Sequence, residues 1–383
     1  MQATGTAIVG TGFIGPVHVE ALRRLGRRVV GILGSTPEKS AQSARALGLE
    51  KGYGSFEDVL ADPAVTVVHL ASPNRYHFEQ CRSALAAGKH VVCEKPLAMT
   101  TAETAELVKL AAGHPHLVTA VNYNVRFYPL VLEARDRIHA GDLGEVFHVT
   151  GSYLQDWLMY VSDFNWRVLP AAGGELRAVA DIGTHWLDTI CFVTGLEITA
   201  VCADLRTVHD TRYRPSGGSE TFSGTAGHRH QPAEAVPIHT EDYGSILLRF
   251  KGGAKGVVTV SQVAAGRKNS LRFDLAGGKA SISWDSEEPN TLHIGHRLRS
   301  NEALSRDPAL LGPTAQKFAD YPGGHAEGFP DSFKQLYKAI YHDIDHGKSP
   351  APLYATFADG HREVQLCEAI LRSHREQRWV AVE

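Results

Sequence analysis

Two short groups of polar residues in this chain of 383 residues could carry acid–base chemistry on a small molecule. The first is Cys93-Glu94-Lys95-Pro96, in which a lysine directly follows the apolar run HVVC. The second is the segment DIGTHWLD, in which Asp181, His185 and Asp188 recur at helical spacing. Side chains at this spacing share one stripe of a helix, so two carboxylates would flank one imidazole. A neighbouring carboxylate raises the proton affinity of an imidazole and fixes its tautomer, as a general base acting on an alcohol requires.

Both groups also have a purely structural interpretation. A lysine at a strand end is usually solvated, although the proline after Lys95 would fix its backbone next to a ligand-binding edge. Asp181 could simply cap the helix, with His185 in a wet seam between domains. Gly183 favours a functional role, because a glycine inside a helix costs about 1 kcal/mol and indicates close approach to another group.

A glycine-rich turn near the start of the chain predicts a dinucleotide site. Gly10-Thr11-Gly12-Phe13-Ile14-Gly15 matches GxGxxG, with a strand pattern before it and a helix pattern after it. Gly10 permits the tight turn, Gly12 lets the backbone approach a pyrophosphate, and Gly15 allows the helix to pack closely on the strand. Backbone amides at the helix start, at Phe13 and Ile14, would then bind the anion. The alternative is a glycine-rich turn without a ligand.

The residues after the predicted second strand leave the choice of dinucleotide open. An acidic residue is expected there to bind the ribose hydroxyls, but the chain has Gly34, followed by Ser35 and Thr36. No carboxylate repels a 2′-phosphate and no arginine binds one. Lys39 could assist such a phosphate, although a solvated lysine on a helix is the alternative. The cofactor is therefore NAD or NADP, with NAD slightly favoured.

The elements that must position these residues follow two different patterns. From Thr6 to Val121, short β-branched runs alternate with helical patterns, as in a parallel sheet covered by helices on both faces. Helix starts are indicated by Thr36-Pro37 and by a capping box of Thr100 and Glu103. The predicted strands are 6–9, 28–33, 65–70, 90–93 and 117–121.

After a linking helix at 128–139, the pattern changes to alternating strands, which predict a large antiparallel sheet with one or two helices. The predicted strands lie within 141–153, 243–250, 254–263 and 269–277. The segment 214–237, rich in Gly, Ser, Thr, His and Pro, predicts a long loop. The domain boundaries that follow are 1–124 and 125–383, with the final C-terminal helix a candidate to pack back on the first domain.

Composition excludes several other classes of protein. With 39 Lys+Arg against 42 Asp+Glu the formal charge is −3, so no basic field favours nucleic acid as a partner. The five cysteines are scattered and never spaced CxxC, which fits a reducing cytoplasm and neither a disulfide framework nor a zinc knuckle. The chain begins without a signal-peptide pattern and has no apolar run of the ~20 residues needed to span a membrane, so we expect no membrane contact.

The chain resembles the glucose-fructose oxidoreductase and inositol dehydrogenase family (Gfo/Idh/MocA) over nearly its whole length. The motifs are GTGFIG, ASPNRYH at 71–77, CEKP, GDLGEV at 141–146 and DIGTHWLD. The resemblance implies an α/β protein: an N-terminal Rossmann domain with a doubly wound parallel sheet, and a C-terminal α/β domain with a large, mostly antiparallel open sheet. It also implies a homodimer or homotetramer formed through that sheet, with the substrate between the second domain and the nicotinamide. By the same analogy Lys95, Asp181 and His185 are the catalytic set, and further cofactor contacts come from Ser72, Asn74, His77, Glu94 and Lys95.

Three further segments, GSYLQDWL at 151–158, FNWR at 164–167 and GGHAEGF at 323–329, are similar to the sugar and glycoside dehydrogenases of this family. The resemblance thus implies oxidation of a ring hydroxyl of a sugar, glycoside, anhydrosugar or cyclitol to a ketone. Sugar recognition needs polar groups and an aromatic face. The candidates, each of which could equally be structural, are Asn122, Arg126, Tyr153, Gln155, Asp156, Trp157, Trp166, Arg167, His325 and Glu327. The departures from the family pattern are Gly34 and Ala326.

Alternative functions leave weaker signals. No GxSxG or HExxH occurs, LAGGKAS is only superficially a P-loop, and His228 with His230 lacks a third ligand, so we expect no metal. A glycosidase with a permanently bound NAD would hydrolyse an aryl glycoside without net NADH. A non-catalytic dinucleotide sensor is disfavoured because Lys95 and His185 are both present.

Overall fold

The computed structural model describes residues 4–215 and 233–383, which form two compact units. The first unit contains the residues up to Asn124 together with Ala171–Gly174 and Phe333–Val364. The second contains the described residues of Val125–Pro170, Glu175–Ser332 and Gln365–Glu383. One division coincides with the predicted boundary after residue 124. Phe333–Val364 is also part of the first unit, and it includes the start of the final C-terminal helix, the candidate to pack back on the first domain.

Within the described residues, the first unit has a six-stranded parallel sheet with strand order β3-β2-β1-β4-β5-β6. The predicted doubly wound architecture is therefore confirmed, with one short strand added at the edge. Strand order reverses between β1 and β4, and ligands bind at such a switch point, outside the carboxyl ends of the strands. The strands are β1 Gly5–Val9, β2 Arg28–Leu33, β3 Lys51–Gly52, β4 Val67–Leu70, β5 His90–Cys93 and β6 Thr119–Val121.

The helices between these strands begin where the sequence indicates. The Thr36 side chain accepts a hydrogen bond from the Lys39 amide ahead of α2, and Thr100 forms the predicted capping box with Glu103 ahead of α5. The residue before α1, Phe13, makes no such side-chain cap. The helices are α1 Ile14–Arg24, α2 Pro37–Leu47, α3 Phe56–Ala61, α4 His77–Ala86 and α5 Thr101–Gly113.

The second unit is built on a mixed sheet that has nine strands in the part of the chain described, in the order β16-β15-β14-β13-β7-β12-β11-β8-β17. Of these pairs β7 and β12 run parallel and the rest run antiparallel, as predicted in outline. The first strands are β7 Val146–Leu154, β8 Ile198–Arg206, β9 Thr211–Pro215, β10 Ala233–Pro237, β11 Tyr243–Phe250 and β12 Lys255–Ser261. The later ones are β13 Ser270–Gly277, β14 Ser281–Asp285, β15 Thr291–Gly295, β16 Glu302–Ser305 and β17 Val380–Ala381.

The predicted long loop at 214–237 is partly wrong. Its two ends belong to β9 and β10, which pair antiparallel with Glu234 opposite Arg214. Strand pairing satisfies backbone groups that a loop would leave to solvent, and alternating residues of β9 and β10 such as Arg212 and Val236 are buried. Residues 216–232, including the histidines at 228 and 230, lie outside the described part.

The remaining helices follow the same chain order. A π-helical turn, Val179–Gly183, leads directly into α8. The helices are α6 Pro129–His139, α7 Pro170–Gly173, α8 Thr184–Thr194, α9 Pro313–Gln316, α10 Phe329–His346 and α11 Phe357–Glu376. No helix in the described residues is long and apolar enough to cross a membrane.

The C-terminal part of the first unit completes its core. Ala355 and Phe357 are buried among apolar residues of the parallel sheet and its helices, and the Ala355 carbonyl accepts a hydrogen bond from the Val121 amide at 2.8 Å. Tyr341 of α10 reaches Thr6 of β1, with 2.5 Å between their hydroxyl oxygens. Sequence pattern alone gives no partner for these apolar positions, so the domain assignment could not be made from it.

One edge of the second sheet collects polar side chains. Because β7 and β12 run parallel, their carboxyl ends meet at the same edge, and the antiparallel neighbours β11 and β13 begin there. This places Gln155, Gln262, Asp242 and Asn269 on one border of the sheet. Helix α8 is held beneath by Trp186, whose indole nitrogen donates to the Arg272 carbonyl at 2.8 Å.

Candidate functional site

The glycine-rich turn has the shape that a bound pyrophosphate requires. Gly10 adopts φ +126°, and a Cβ there would collide with the Ala71 carbonyl. A Cβ on Gly15 would lie 2.2 Å from the Gly10 carbonyl oxygen. Around Gly12, by contrast, no described atom lies within 4 Å of the Cβ position. Two of the glycines therefore close the turn, and the third leaves its backbone open in front of the uncapped start of α1.

The end of β2 offers few groups to a ribose. A Cβ on Gly34 would lie 3.1 Å from Lys39 Cβ and from the Ser40 amide, so the position is tightly packed. The Thr36 side chain is occupied as the cap of α2, while Ser35 and Lys39 are exposed.

The loop that follows β4 is tied to the loop that follows β5. Buried His77 hydrogen-bonds to the Pro96 carbonyl at 2.8 Å and to the Ser72 carbonyl at 2.9 Å. Burial lowers the pKa of His77, although these hydrogen bonds oppose the shift. The Ser72 hydroxyl donates to Gln80, and the Asn74 amide donates to the Gly173 carbonyl. His77 thus holds the two loops at the ligand-binding edge of the sheet.

Lys95 follows a carboxylate that is buried at the end of β5. Glu94 Oε1 accepts from His18 Nε2 at 3.1 Å and from the Asn122 side-chain amide, and Oε2 accepts from the Lys95 backbone amide at 3.3 Å. Asn122, predicted to contact substrate, is 1% exposed. The arrangement anchors the backbone next to the Lys95 side chain.

In the second unit, a hydrogen-bonded series of side chains crosses the polar edge of the sheet. The Trp157 indole donates to Gln155 Oε1 at 2.9 Å, and the Gln155 amide donates to Asn269 Oδ1 at 2.8 Å. Tyr153 donates to the same oxygen at 2.7 Å, and burial raises its pKa, so it remains a donor. The sequence predicted three of these residues and missed Asn269, because only strand pairing brings it opposite them.

Asp181 lies within the π-helical turn rather than at a helix cap. One carboxylate oxygen accepts from Arg167 Nε at 3.3 Å and the other from the Gln262 amide at 2.8 Å. A Cβ on Gly183 would lie 3.3 Å from Val260 of β12, which confirms the predicted close approach. The π turn thus lets Asp181 meet the ends of neighbouring elements.

His185 is the second residue of α8, the regular part of the same helix. It is 8% exposed, and its ring lies edge-on to Tyr153 with 6.2 Å between centroids. The sequence placed Asp188 beside this imidazole. In the structure both Asp188 oxygens accept from Arg126, at 2.8 and 2.5 Å, and this ion pair is buried. Arg126, a predicted substrate contact, therefore anchors α8 through Asp188.

The other predicted substrate contacts are more scattered. The Arg167 guanidinium stacks over Trp166 at 4.4 Å from its ring centroid. His325 is exposed and hydrogen-bonds to the Gly323 carbonyl in its own loop. Glu327 is buried against Arg306, and Asp156 pairs with Lys268 at 2.7 Å.

A buried charge network that the sequence analysis missed supports Asp181. Asp242 accepts from Arg177 and, at 2.6 Å, from Arg212, and all three side chains are completely buried. Burial opposes ionisation of Asp242, but the charges of the two arginines hold its pKa below the usual value. Arg177 also donates to Gln262, which donates to Asp181.

Glu241 holds the start of the π-helical turn. Its carboxyl oxygens accept from the backbone amides of Arg177 and Val179, at 2.8 to 3.0 Å. Burial raises the pKa of Glu241 to about 7. An acidic pair before a strand is a weak signal in sequence, since most such pairs are solvated.

The glycine cradle and the edge-placed acid–base residues define an oxidoreductase that uses a nicotinamide dinucleotide. The family model for oxidoreductases with an NAD-binding Rossmann fold matches residues 4–123, and the Gfo/Idh/MocA C-terminal domain model matches residues 131–283. The chain belongs to this family, as its motifs predicted.

Three relatives match the chain over nearly its whole length. The chain is 29% identical to levoglucosan dehydrogenase of Pseudarthrobacter phenanthrenivorans over 100% of this chain and 99% of the relative. A solved structure of levoglucosan dehydrogenase with NADH and L-sorbose superimposes with a TM-score of 0.89 at 28% identity, covering 100% of both chains. An inositol dehydrogenase homologue from Azotobacter vinelandii with NAD⁺ gives 0.85 at 26% identity, covering 99% of this chain and 97% of the other.

The glycine turn yields a matched pair of variants. Gly12→Ala should leave the unfolding temperature unchanged, because the new methyl meets open space, yet it should weaken NADH binding about tenfold by displacing the pyrophosphate. Gly15→Ala should lower both the unfolding temperature and the affinity for NADH, because its methyl collides with the Gly10 carbonyl. Calorimetric unfolding and NADH fluorescence titration measure the two effects; unchanged NADH affinity in Gly12→Ala would place the pyrophosphate elsewhere.

Glu241 should impose a pH dependence on stability. Its pKa is about 7 when folded and near 4.5 in the unfolded chain, so the folded state retains the proton between these values. Stability should therefore fall as pH rises through this window, by up to about 3 kcal/mol from this group. Glu241→Gln, which cannot ionise, should lower the overall stability and remove this slope in denaturant unfolding measured across the window. Parallel curves for the two proteins would contradict the shift.

Proposed function

We propose that this chain oxidises a ring hydroxyl of a sugar, glycoside, anhydrosugar or cyclitol to a ketone, with transfer of a hydride to NAD or NADP. The observation that carries the proposal is the polar edge of the second sheet. There the structure brings Asp181 and His185 of one helix next to hydrogen-bonding side chains of the type that carbohydrate sites use.

The first unit supplies the residues that would hold the dinucleotide. The open backbone at Gly12 and the start of α1 at Phe13 and Ile14, where no side chain caps the helix, fit a pyrophosphate. Ser72 and Asn74 lie in the loop after β4, at the carboxyl edge where such ligands bind. When bound, the nicotinamide ring accepts or donates the hydride.

Side chains of the protein would accept the hydroxyl proton and stabilise the negative charge on the substrate oxygen. Loss of hydride from an alcohol carbon requires loss of the hydroxyl proton, which His185 takes as general base. The Lys95 ammonium stabilises the negative charge that develops on the oxygen. The anchored Glu94 and Lys95 backbone limits the positions this ammonium can take.

Substrate recognition is assigned to the second unit. Tyr153, Gln155, Trp157 and Arg167 provide donors, acceptors and aromatic surface at one sheet edge. Relatives act on levoglucosan or bind L-sorbose by their names, so anhydrosugars and ketoses lead the list of substrates. Asn122 and Arg126 act through other side chains, namely Glu94 and Asp188.

Membership of the family does not decide between NAD and NADP. The packed Gly34 leaves no carboxylate that would repel a 2′-phosphate, and Lys39 is exposed. We assign NAD, in line with the NADH and NAD⁺ complexes of the structural relatives.

No disulfide joins cysteines in the described residues, consistent with a cytoplasmic enzyme.

A homodimer or homotetramer would form through the second sheet, where Phe147 of β7 and Leu247 of β11 are 55% and 47% exposed. Leu247→Glu should reduce the mass measured by light scattering, because the charge would be buried in the contact. Lys255→Glu on the neighbouring strand, already polar there, serves as the comparison. A wild-type chain that is monomeric at all concentrations would contradict this assembly.

The function is tested with a panel of anhydrosugars, monosaccharides, glycosides and inositols, each assayed with NAD⁺ and NADP⁺ by nicotinamide absorbance. Lys95→Ala and His185→Ala should each lower kcat by roughly 10²–10⁴-fold on the best substrate. NADH binding should remain measurable in both variants, since neither residue lies in the glycine turn. The exposed Lys109→Ala and His116→Ala are the matched controls. Wild-type rates in both site variants would refute the assigned roles.

The NAD-dependent glycosidase gives a different result in the same panel. It would release the aglycone from an aryl glycoside without accumulating NADH, whereas a dehydrogenase accumulates NADH in proportion to the ketone formed. A dinucleotide sensor would bind NADH and turn over none of the panel.

A further inference from the structure

A chain of buried polar side chains runs through the first unit and ends at the carboxylate next to Lys95. It links hydroxyl, hydroxyl, imidazole, imidazole and carboxylate in that order. The contacts are Thr6 Oγ1 to Tyr341 Oη at 2.5 Å, Tyr341 Oη to His69 Nε2 at 3.1 Å, His69 Nδ1 to His18 Nδ1 at 2.9 Å and His18 Nε2 to Glu94 Oε1 at 3.1 Å.

The members come from five separate elements: β1, α10, β4, α1 and the end of β5. Thr6, His18, His69 and Tyr341 are completely inaccessible to solvent, and Glu94 is 9% exposed. Buried polar groups are retained when they are satisfied and have a single arrangement. The chain therefore has a defined direction of proton donation.

That direction is set by Glu94. An ionised carboxylate only accepts hydrogen bonds, and Glu94 Oε1 already receives the Asn122 amide. His18 must therefore carry its proton on Nε2. The proposed direction takes His18 as neutral; its other nitrogen is then an acceptor, and His18 Nδ1 accepts from His69.

The same reasoning applies to His69, Tyr341 and Thr6. His69 carries its proton on Nδ1, which leaves Nε2 to accept from the Tyr341 hydroxyl. Burial lowers the pKa of His69 well below the usual value, which keeps this ring neutral. Burial also raises the pKa of Tyr341, so its hydroxyl keeps the proton that it donates. Thr6 then donates to Tyr341.

Aromatic rings enclose the two imidazoles. The Tyr337 ring lies 5.3 Å from the His18 ring and 4.8 Å from the His69 ring between centroids, and Phe333 lies 5.9 Å from His18. Both imidazoles are completely inaccessible to solvent. A hydrogen bond in such surroundings is stronger and its geometry more strictly fixed than at a surface.

We propose that His18 is a positioning residue: its Nε2–H, oriented by the chain from Thr6 through His69, fixes the Glu94 carboxylate against the Lys95 backbone amide. What Lys95 does rests on the proposed function; the direction of the chain does not. His18 touches neither substrate nor cofactor in this role and acts through Glu94.

Histidine tautomers measure the direction of the chain in the intact protein. In ¹⁵N-histidine-labelled protein at about pH 8, above the ordinary imidazole range, long-range ¹H–¹⁵N correlations should show His18 in the Nε2–H form and His69 in the Nδ1–H form. His18→Gln and His69→Gln assign the signals by their disappearance. A His69 proton on Nε2, or an averaged signal from both tautomers, would overturn the proposal.

Two variants of His18 separate positioning from packing. Gln places an amide donor where Nε2 stands, whereas Asn places it only near Nδ1, so His18→Gln retains the contact to Glu94 and His18→Asn loses it. We expect His18→Gln to keep kcat within about threefold of wild type and His18→Asn to lose at least about tenfold, with NADH affinity within about threefold in both. His116→Asn is the exposed control. Equal losses in the two His18 variants would make the role one of packing alone and overturn the proposal.

The two hypotheses fail separately. If no substrate in the panel is oxidised by the wild type, the proposed function fails, while the tautomers of His18 and His69 still decide the direction of the chain. If His18→Asn does not fold, the tautomer measurement on the wild type decides the inference by itself.

Discussion

A carboxylate buried away from water has to be met by hydrogen-bond donors, because an isolated buried charge is too costly to survive folding. Glu94 in the first unit and Asp242 in the second are both in this position. Glu94 is met by a histidine, an asparagine and a backbone amide, and Asp242 by two arginines and two backbone amides. In each unit these donors come from several helices, strands and loops. The hydrogen bonds to the carboxylate therefore hold these elements at fixed positions around it.

The chemically important side chains are attached to these fixed points. Lys95 follows Glu94 directly, and Asp181 is linked to Asp242 through Gln262 and Arg177. Buried ion pairs contribute little net stability, since desolvation offsets their attraction, but removing one partner is strongly destabilising. In this chain we infer that their main effect is to hold one arrangement of the site.

Part of the site could be predicted because its signals are local. The turn at Gly10 to Gly15 needs only a strand before it and a helix after it, and its three glycines have the positions in the structure that their spacing predicted. The caps at Thr36 and Thr100 depend on residues within one turn and formed as expected. Asp188 shows where local signals fail to predict a contact. Helical spacing placed it beside His185, whereas its oxygens bind Arg126, 62 positions away in sequence.

The groups that sequence reasoning missed are joined across long separations. His18 and His69 each look like an ordinary histidine in an amphipathic or apolar pattern, and Asn269 like a turn residue before a strand. Their roles arise when strand pairing and helix packing bring distant donors to one acceptor.

By itself the sequence determined the parallel first sheet, its glycine turn, the antiparallel character of the second sheet and the motifs that identify the family, because backbone periodicity and turn chemistry act over a few residues. Only the tertiary structure decided that Phe333–Val364 completes the first unit. It also decided that β9 and β10 pair and that the acids near Lys95 and Asp181 are met by particular donors. These outcomes depend on which buried surfaces and unpaired polar groups remain once the local elements have formed, and that is settled only by packing the whole chain.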